Sequence, residues 1–175
     1  MPDPTHDPVP RAFVTTPDGG ERYRFFGSLA VLRSAPGARP VVIELTFGPG
    51  PGAPLHEHHA LDDSFYVLRG RMAWRCGSDT FVAKAGDYVE LPAGVPHTFF
   101  VLDGEPASFL QTHADDSFMS FIRAVGVRAT GPTLPASGPL DRESVLKAAA
   151  ETGQPIIGPP MTGDEAKAIA DGAAG

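Results

Sequence analysis

Between Gly50 and His97 the chain carries two histidine-bearing blocks whose spacing leaves few options for its fold. The first runs Gly50, five residues, His56-Glu57-His58, four residues, Asp63, six residues, Gly70. The second runs Gly86, five residues, Pro92-Ala93-Gly94, two residues, His97. Glycine and proline punctuate both blocks, and the stretches between them are short and rich in Phe, Tyr, Val and Leu, so they read as short strands joined by tight loops. Side chains alternate across a strand, so His56 and His58 project from one face. Two imidazoles on one face make half of a metal site. A carboxylate and a third histidine, brought in from neighbouring strands, would complete it.

The 175 residues suit one domain with a substantial core, and a hydrophobic content of 42% is ordinary for a globular chain. The 20 glycines and 19 prolines imply many turns, as an all-β barrel of short strands requires. A formal charge of −7, with no Lys/Arg run, argues against a nucleic-acid surface. No stretch approaches the ~18 consecutive apolar residues of a membrane span. Met1-Pro2-Asp3-Pro4-Thr5 has neither the basic end nor the apolar segment of a secretory signal. The single cysteine, Cys76, cannot form an intramolecular disulfide, and the expected location is cytoplasmic. Cys76 itself reads as a small buried hydrophobe rather than a reactive thiol.

Along the chain, residues 1–20 hold five prolines and no periodicity, and read as a loosely ordered arm in which His6 is a solvated tail residue. Residues 21–114 form the expected barrel. Tyr23 to Leu32 is a strand, or a pair interrupted at Gly27; Val41, Ile43, Leu45 and Phe47 share one face of the next strand. Parity groups Asp63, Phe65 and Val67, which turns Tyr66 away from them. Trp74 is expected to line the barrel with Met72 and Cys76, and His97, Phe99 and Val101 share a face. Asp103-Gly104 reads as a hairpin from which Ala107 to Thr112 pairs back. Phe109 and Gln111 then share a face, which makes Gln111 a candidate polar group in the pocket, with a surface position as the equal alternative. His59 and His113 read as structural histidines.

Residues 115–175 change period. Phe118, Phe121, Ile122 and Val125 mark an amphipathic helix, capped by Asp115 and Asp116 and stopped by Gly126. A Pro/Gly-rich connector over Gly131 to Pro139 leads to a helix between Asp141 and Gly153. Thr162-Gly163-Asp164-Glu165 is a capping box that opens a short terminal helix.

The two blocks together resemble the signature motifs of the cupin superfamily, with Asp63 where the first motif has Glu and Val101 where the second has Asn. Over roughly residues 23 to 161 the chain is similar to the single-domain, quercetin 2,3-dioxygenase-like cupins. The residues that carry this are Pro54 to His59, Ser64 to Leu68, Pro92 to His97, Phe118 to Arg123 and Ile156 to Pro160. The resemblance implies a single cupin (double-stranded β-helix, or jelly-roll) barrel with C-terminal helices. It implies one divalent transition metal ion, among Fe, Mn, Ni, Co, Cu and Zn, held by His56, His58, Asp63 and His97. Asp63 would double as the base that takes a substrate hydroxyl proton, and Phe65, Trp74 and Phe99 would wall a pocket for an aromatic small molecule.

The implied activity is that of a dioxygenase acting on a phenolic or enolisable substrate. The alternatives are a metal-assisted isomerase, cyclase or decarboxylase, and a barrel that binds a small ligand without turnover. A homodimer is expected, because the edge formed by Tyr23 to Leu32 needs covering.

Overall fold

The computed structural model describes residues 12–59, 61–134 and 141–173. Thirteen strands and three helices run in the order β1 (Arg22–Phe25), β2 (Ser28–Leu32), β3 (Val41–Phe47), β4 (Gly50–Pro51), β5 (Pro54–His56), β6 (Asp63–Arg69), β7 (Arg71–Cys76), β8 (Asp79–Lys84), β9 (Tyr88–Leu91), β10 (His97–Val101), β11 (Ala107–His113), α1 (Ser117–Val125), β12 (Val127–Arg128), α2 (Arg142–Glu151), β13 (Ile156–Pro160) and α3 (Gly163–Gly172). They form two antiparallel sheets. One has the order β12-β1-β2-β3-β11-β6-β9 and the other β13-β5-β10-β7-β8, with β4 paired to β10. This is the jelly-roll barrel with C-terminal helices that the motifs imply.

Alternation explains why the two sheets close on each other. In β3 the residues Val41, Ile43, Leu45 and Phe47 are buried while Val42, Glu44 and Thr46 are partly exposed. Phe65 and Val67 of β6 do the same beside exposed Tyr66, and Trp74 of β7 is fully enclosed. The inward rings interlock: Phe99 lies 4.9 Å from Phe47, 4.7 Å from Trp74 and 5.8 Å from Phe109, and Phe65 lies 5.0 Å from Trp74. The two Phe99–Phe pairs are edge-to-face and the two Trp74 pairs tilted, and aromatic pairs at these separations add to plain area burial. Two glycines are required by this packing. A Cβ on Gly52 would stand 2.2 Å from the Phe99 ring, and Gly70 turns β6 into β7 at φ +82° with Ala107 pressed against it.

The expected Asp103-Gly104 hairpin does not form. β10 pairs with β4, β5 and β7, whereas β11 crosses to the other sheet and lies between β3 and β6. Local turn chemistry set the bend, but burial of Phe109 and Ala107 between β3 and β6 chose the partners. The Tyr23 to Leu32 pair is not a bare edge either. β2 sits between β1 and β3, and β12 covers β1 at Tyr23 and Arg24.

Of the N-terminal arm, residues 1–11 (with His6) lie outside the described residues. The part that is described is fastened: Thr15 donates to the Arg33 carbonyl, and Arg33 donates to the Thr16 carbonyl. Most of the Gly131–Pro139 connector also lies outside the described residues. Helix α1 buries Phe118, Met119, Phe121 and Ile122, so its stripe closes the mouth of the barrel against Phe25 and Phe26. Its N-terminal cap comes from Asp115, whose Oδ1 accepts from Ser117 N at 2.9 Å, and not from Asp116. Asp141 caps α2, and Val145, Ala148 and Ala149 of that helix join the same core. Helix α3 carries the reciprocal Thr162–Glu165 capping box. Its Ala166, with Met161 just ahead of the helix, packs on Ala73, which faces out of the barrel. No described helix is long and apolar enough to cross a membrane.

Candidate metal centre

Strands from both sheets deliver the site. β5 carries His56, the loop after it His58, β6 opens on Asp63, and β10 opens on His97. His56 and His97 are direct cross-strand partners. The Pro92–Pro96 loop is tied down at Gly94, which donates to the His58 carbonyl at 2.7 Å, and at Ala93, which donates to Asp62 Oδ1 at 2.8 Å. Asp62, adjacent to the candidate ligand, therefore serves the loop.

One ligand atom from each of His56, His58, Asp63 and His97 lies within 4.8 Å of all the others. Asp63 Oδ2 is 3.1 Å from His58 Nε2 and 3.5 Å from His97 Nε2. Two donors at about 2.1 Å from a shared ion, seen at octahedral or tetrahedral angles, stand roughly 3.0–3.4 Å apart; the first separation falls in this range and the second just beyond it, as for ligands converging on one ion. His58 Nε2, His97 Nε2 and Asp63 Oδ2 are all buried and none makes a hydrogen bond. Such a cluster of converging, unsatisfied buried atoms is costly unless a cation joins them. Meanwhile the Nδ1 atoms of His56 and His97 lie 2.8 Å and 3.0 Å from the carbonyls of Pro54 and Val95. Donation from Nδ1 to a backbone carbonyl leaves the Nε2 lone pair free, as in most histidine metal ligands. The residues present thus fit a divalent metal ion.

The electrostatics agree. Burial, reinforced by the neighbouring His97 and His58 rings, lowers the His56 pKa to about 3, so the ring is neutral and competent to ligate. Burial opposes ionisation of Asp63, but contact with the His58 and His97 ring nitrogens and the field of His113 prevail and hold its carboxyl well below the usual carboxylate range.

Asp63 is held from behind by two residues of β11. The Gln111 amide donates to Asp63 Oδ1 at 3.2 Å and to His113 Nε2 at 2.8 Å. His113 is uncharged in this setting, and its Nδ1 is buried without a partner. This agrees with burial lowering its pKa to about 4. Gln111 therefore lies inside, beside the carboxylate, and His113, read from sequence as merely structural, is 3.1 Å from Asp63 Oδ1. Parity pointed to it, since His113 is one step of two beyond Gln111 on the same strand face.

In front of the group lies a cavity of about 50 Å³. Phe65, Trp74, Phe99 and Gln111 line it, as do His56, Asp63 and His97. Sequence reasoning missed the residues that close it: Phe25 and Phe26 from β1 and its turn, Phe118 and Phe121 from α1, and Gln154 and Ile156 from the segment entering β13. The walls are otherwise apolar, so a ligand there is dry. Cys76 is buried, and its burial, then the nearby Asp79 charge, raises its pKa, which fits an inert thiol.

Residues 43–113 match the cupin domain family. Over 83 residues, 46% of this chain, the sequence is 30% identical to quercetin 2,3-dioxygenase of Bacillus subtilis (strain 168), and the match spans 25% of that enzyme's length. Among solved structures, KdgF from Halomonas sp. superposes with a TM-score of 0.55 at 14% identity, over 63% of this chain and 99% of that one. A Streptomyces nucleoside dehydratase superposes at 0.51 with 16% identity, over 59% of this chain and 82% of its own. These two likenesses concern the fold. Family match and barrel topology agree: residues 43–113 of this chain form a cupin domain.

Proposed function

We propose that the protein is a metal-dependent enzyme of the dioxygenase type, acting on a small phenolic or enolisable molecule, with His56, His58, Asp63 and His97 as ligands. The observation that supports it best is the set of buried, unpartnered Nε2 and carboxylate atoms facing an apolar cavity. A bound ion would act there as a Lewis acid, acidifying a substrate hydroxyl and orienting it. Asp63 is the anionic group nearest such a hydroxyl. Held well below the ordinary carboxylate range, it is a ligand first, and it takes a proton only from a hydroxyl made acidic. The aromatic walls exclude water and bind the flat body of the substrate. The walls that such a substrate meets include Phe26, Phe118 and Phe121.

A second reading, a metal-assisted isomerase, cyclase or decarboxylase, is favoured by the small volume and by the ionised Asp63. Metal analysis of tag-free protein, followed by oxygen uptake with phenolic and enolisable substrates, separates these. Stoichiometric metal and oxygen uptake that vanishes in His97→Ala support the dioxygenase. Turnover under strict anaerobiosis favours the second reading. Ligand affinity that survives metal removal, with no turnover, would leave a binding barrel.

A further inference from the structure

Of the charged, imidazole and amide side chains lining the cavity, His56, Asp63, His97 and Gln111 all belong to the metal group or to its support. Gln154 remains. It is 4% exposed, and its amide nitrogen is buried without a hydrogen bond. Its place is fixed by backbone bonds on both sides. Gln154 N donates to the Ala149 carbonyl at 2.8 Å, the Gly153 carbonyl accepts from His59 N at 3.2 Å, and the Pro155 carbonyl accepts from Glu57 N at 3.4 Å. Two residues on, Ile156 is the register partner of His56. The segment is thus laced to β5, which carries His56, and to the loop after it, which carries His58, and Gln154 lines the same apolar cavity as His56, Asp63 and His97. Native chains rarely leave a buried donor unpaired without a use for it. Trp74 Nε1 also lacks a partner, but that indole stands between the Phe65 and Phe99 rings, in the apolar part of the wall.

We propose that Gln154 is a specificity-determining residue of this site: its amide donates a hydrogen bond to a second oxygen of the ligand, adjacent to the oxygen that seeks the metal. The inference rests on the metal reading above and adds to it a ligand class, small molecules with two neighbouring oxygen acceptors. It also gives the C-terminal segment a share in recognition, since Gln154 comes from outside the barrel strands.

Cobalt-loaded protein provides the test, read by its visible spectrum. Two small probes are titrated: acetohydroxamate, whose two neighbouring oxygens both keep lone pairs able to accept a hydrogen bond at the metal, and ethanethiol, which offers one sulfur and no further acceptor. In Gln154→Leu, acetohydroxamate affinity is expected to fall about tenfold, the worth of one well-made hydrogen bond, with ethanethiol affinity within twofold of wild type. Gln154→Glu, which presents an acceptor where a donor is needed, should lose more. Gln154→Met serves where the leucine does not pack. Cobalt content and thermal midpoint are measured for each variant first. A wild type that takes up no cobalt overturns the metal reading and this assignment with it. Loaded variants that bind acetohydroxamate as wild type does, or lose both probes equally, overturn the assignment alone.

Discussion

Gln111→Leu is the perturbation that most directly tests how the carboxylate is held. Both amide protons of Gln111 are committed, one to Asp63 Oδ1 at 3.2 Å and one to His113 Nε2 at 2.8 Å. The same amide nitrogen thus serves two groups that themselves lie 3.1 Å apart. Leucine has similar bulk and no donor, so the cavity wall is kept while the negative oxygen loses its support. Asp63 then either turns toward His113 or becomes easier to protonate, and each leaves it a poorer ligand. Removal of a residue that orients a ligand costs about 10–100-fold in metal affinity, or roughly 1.4–2.8 kcal/mol. Competition against a chromophoric chelator reads this directly. Gln111→Glu, placing a second negative charge beside the first, should lose more at neutral pH. Wild-type affinity in a folded, metal-loaded Gln111→Leu protein would show that Asp63 needs no support from β11, and the reasoning would fail.

Two further outcomes follow from packing and capping. Gly52→Ala drives a Cβ into the Phe99 ring, which is wedged against Phe47, Trp74 and Phe109. Overpacking of this kind costs roughly 1–3 kcal/mol, or about 2–12 °C in thermal midpoint for a chain of this size; an unshifted midpoint refutes it. Thr162→Ala removes one half of the α3 capping box and should cost about 1 kcal/mol in urea unfolding. The Thr162 backbone, then its hydroxyl, holds the Glu165 pKa below its ordinary value. That stabilisation is present above the unfolded-state pKa and lost as pH falls through the folded one, so the gap between wild type and Thr162→Ala narrows in acid. A gap that widens on acidification contradicts the cap.

Much of the barrel was legible because its information is local. Alternation in β3 and β6 named the buried residues, and the period change at Phe118 located α1. What stayed hidden depends on pairings between distant segments. β13 docks on β5 from a hundred residues downstream, through irregular register at Gly158 and Pro160, and nothing in Ile156 to Pro160 announces a strand. Gln154 was invisible for the same reason. Its role follows from where β13 lands, and a glutamine between a helix and a proline carries no signal of its own. The absent β10–β11 hairpin is the converse case, a correct turn signal overruled by two better partners in the opposite sheet.

The substitution of Asp for Glu at position 63 poses a sharper problem of reach. Aspartate is one methylene shorter, a loss of about 1.5 Å, enough to withdraw a carboxylate from a metal site if the strand stays put. Yet Asp63 Oδ2 stands at ligand-like separation from two imidazoles, so the shorter side chain still reaches. Asp63 is the first residue of β6, paired to Leu91 of β9 at the point where the Pro92 loop begins. The Asp62 side chain, by accepting from Ala93 N, draws that same loop toward the start of β6. The reach lost in the side chain is thus compatible with where the backbone begins the strand. On this view Asp62 and Gln111 share the work, the first setting the backbone and the second the oxygen. An Asp63→Glu replacement should then overshoot into the cavity, where it meets the space the ligand needs, and should weaken the binding of small ligands while metal is retained. Unchanged ligand affinity in a loaded Asp63→Glu protein would show that the strand has slack to absorb the extra methylene, and that position 63 does not set the room available to the ligand.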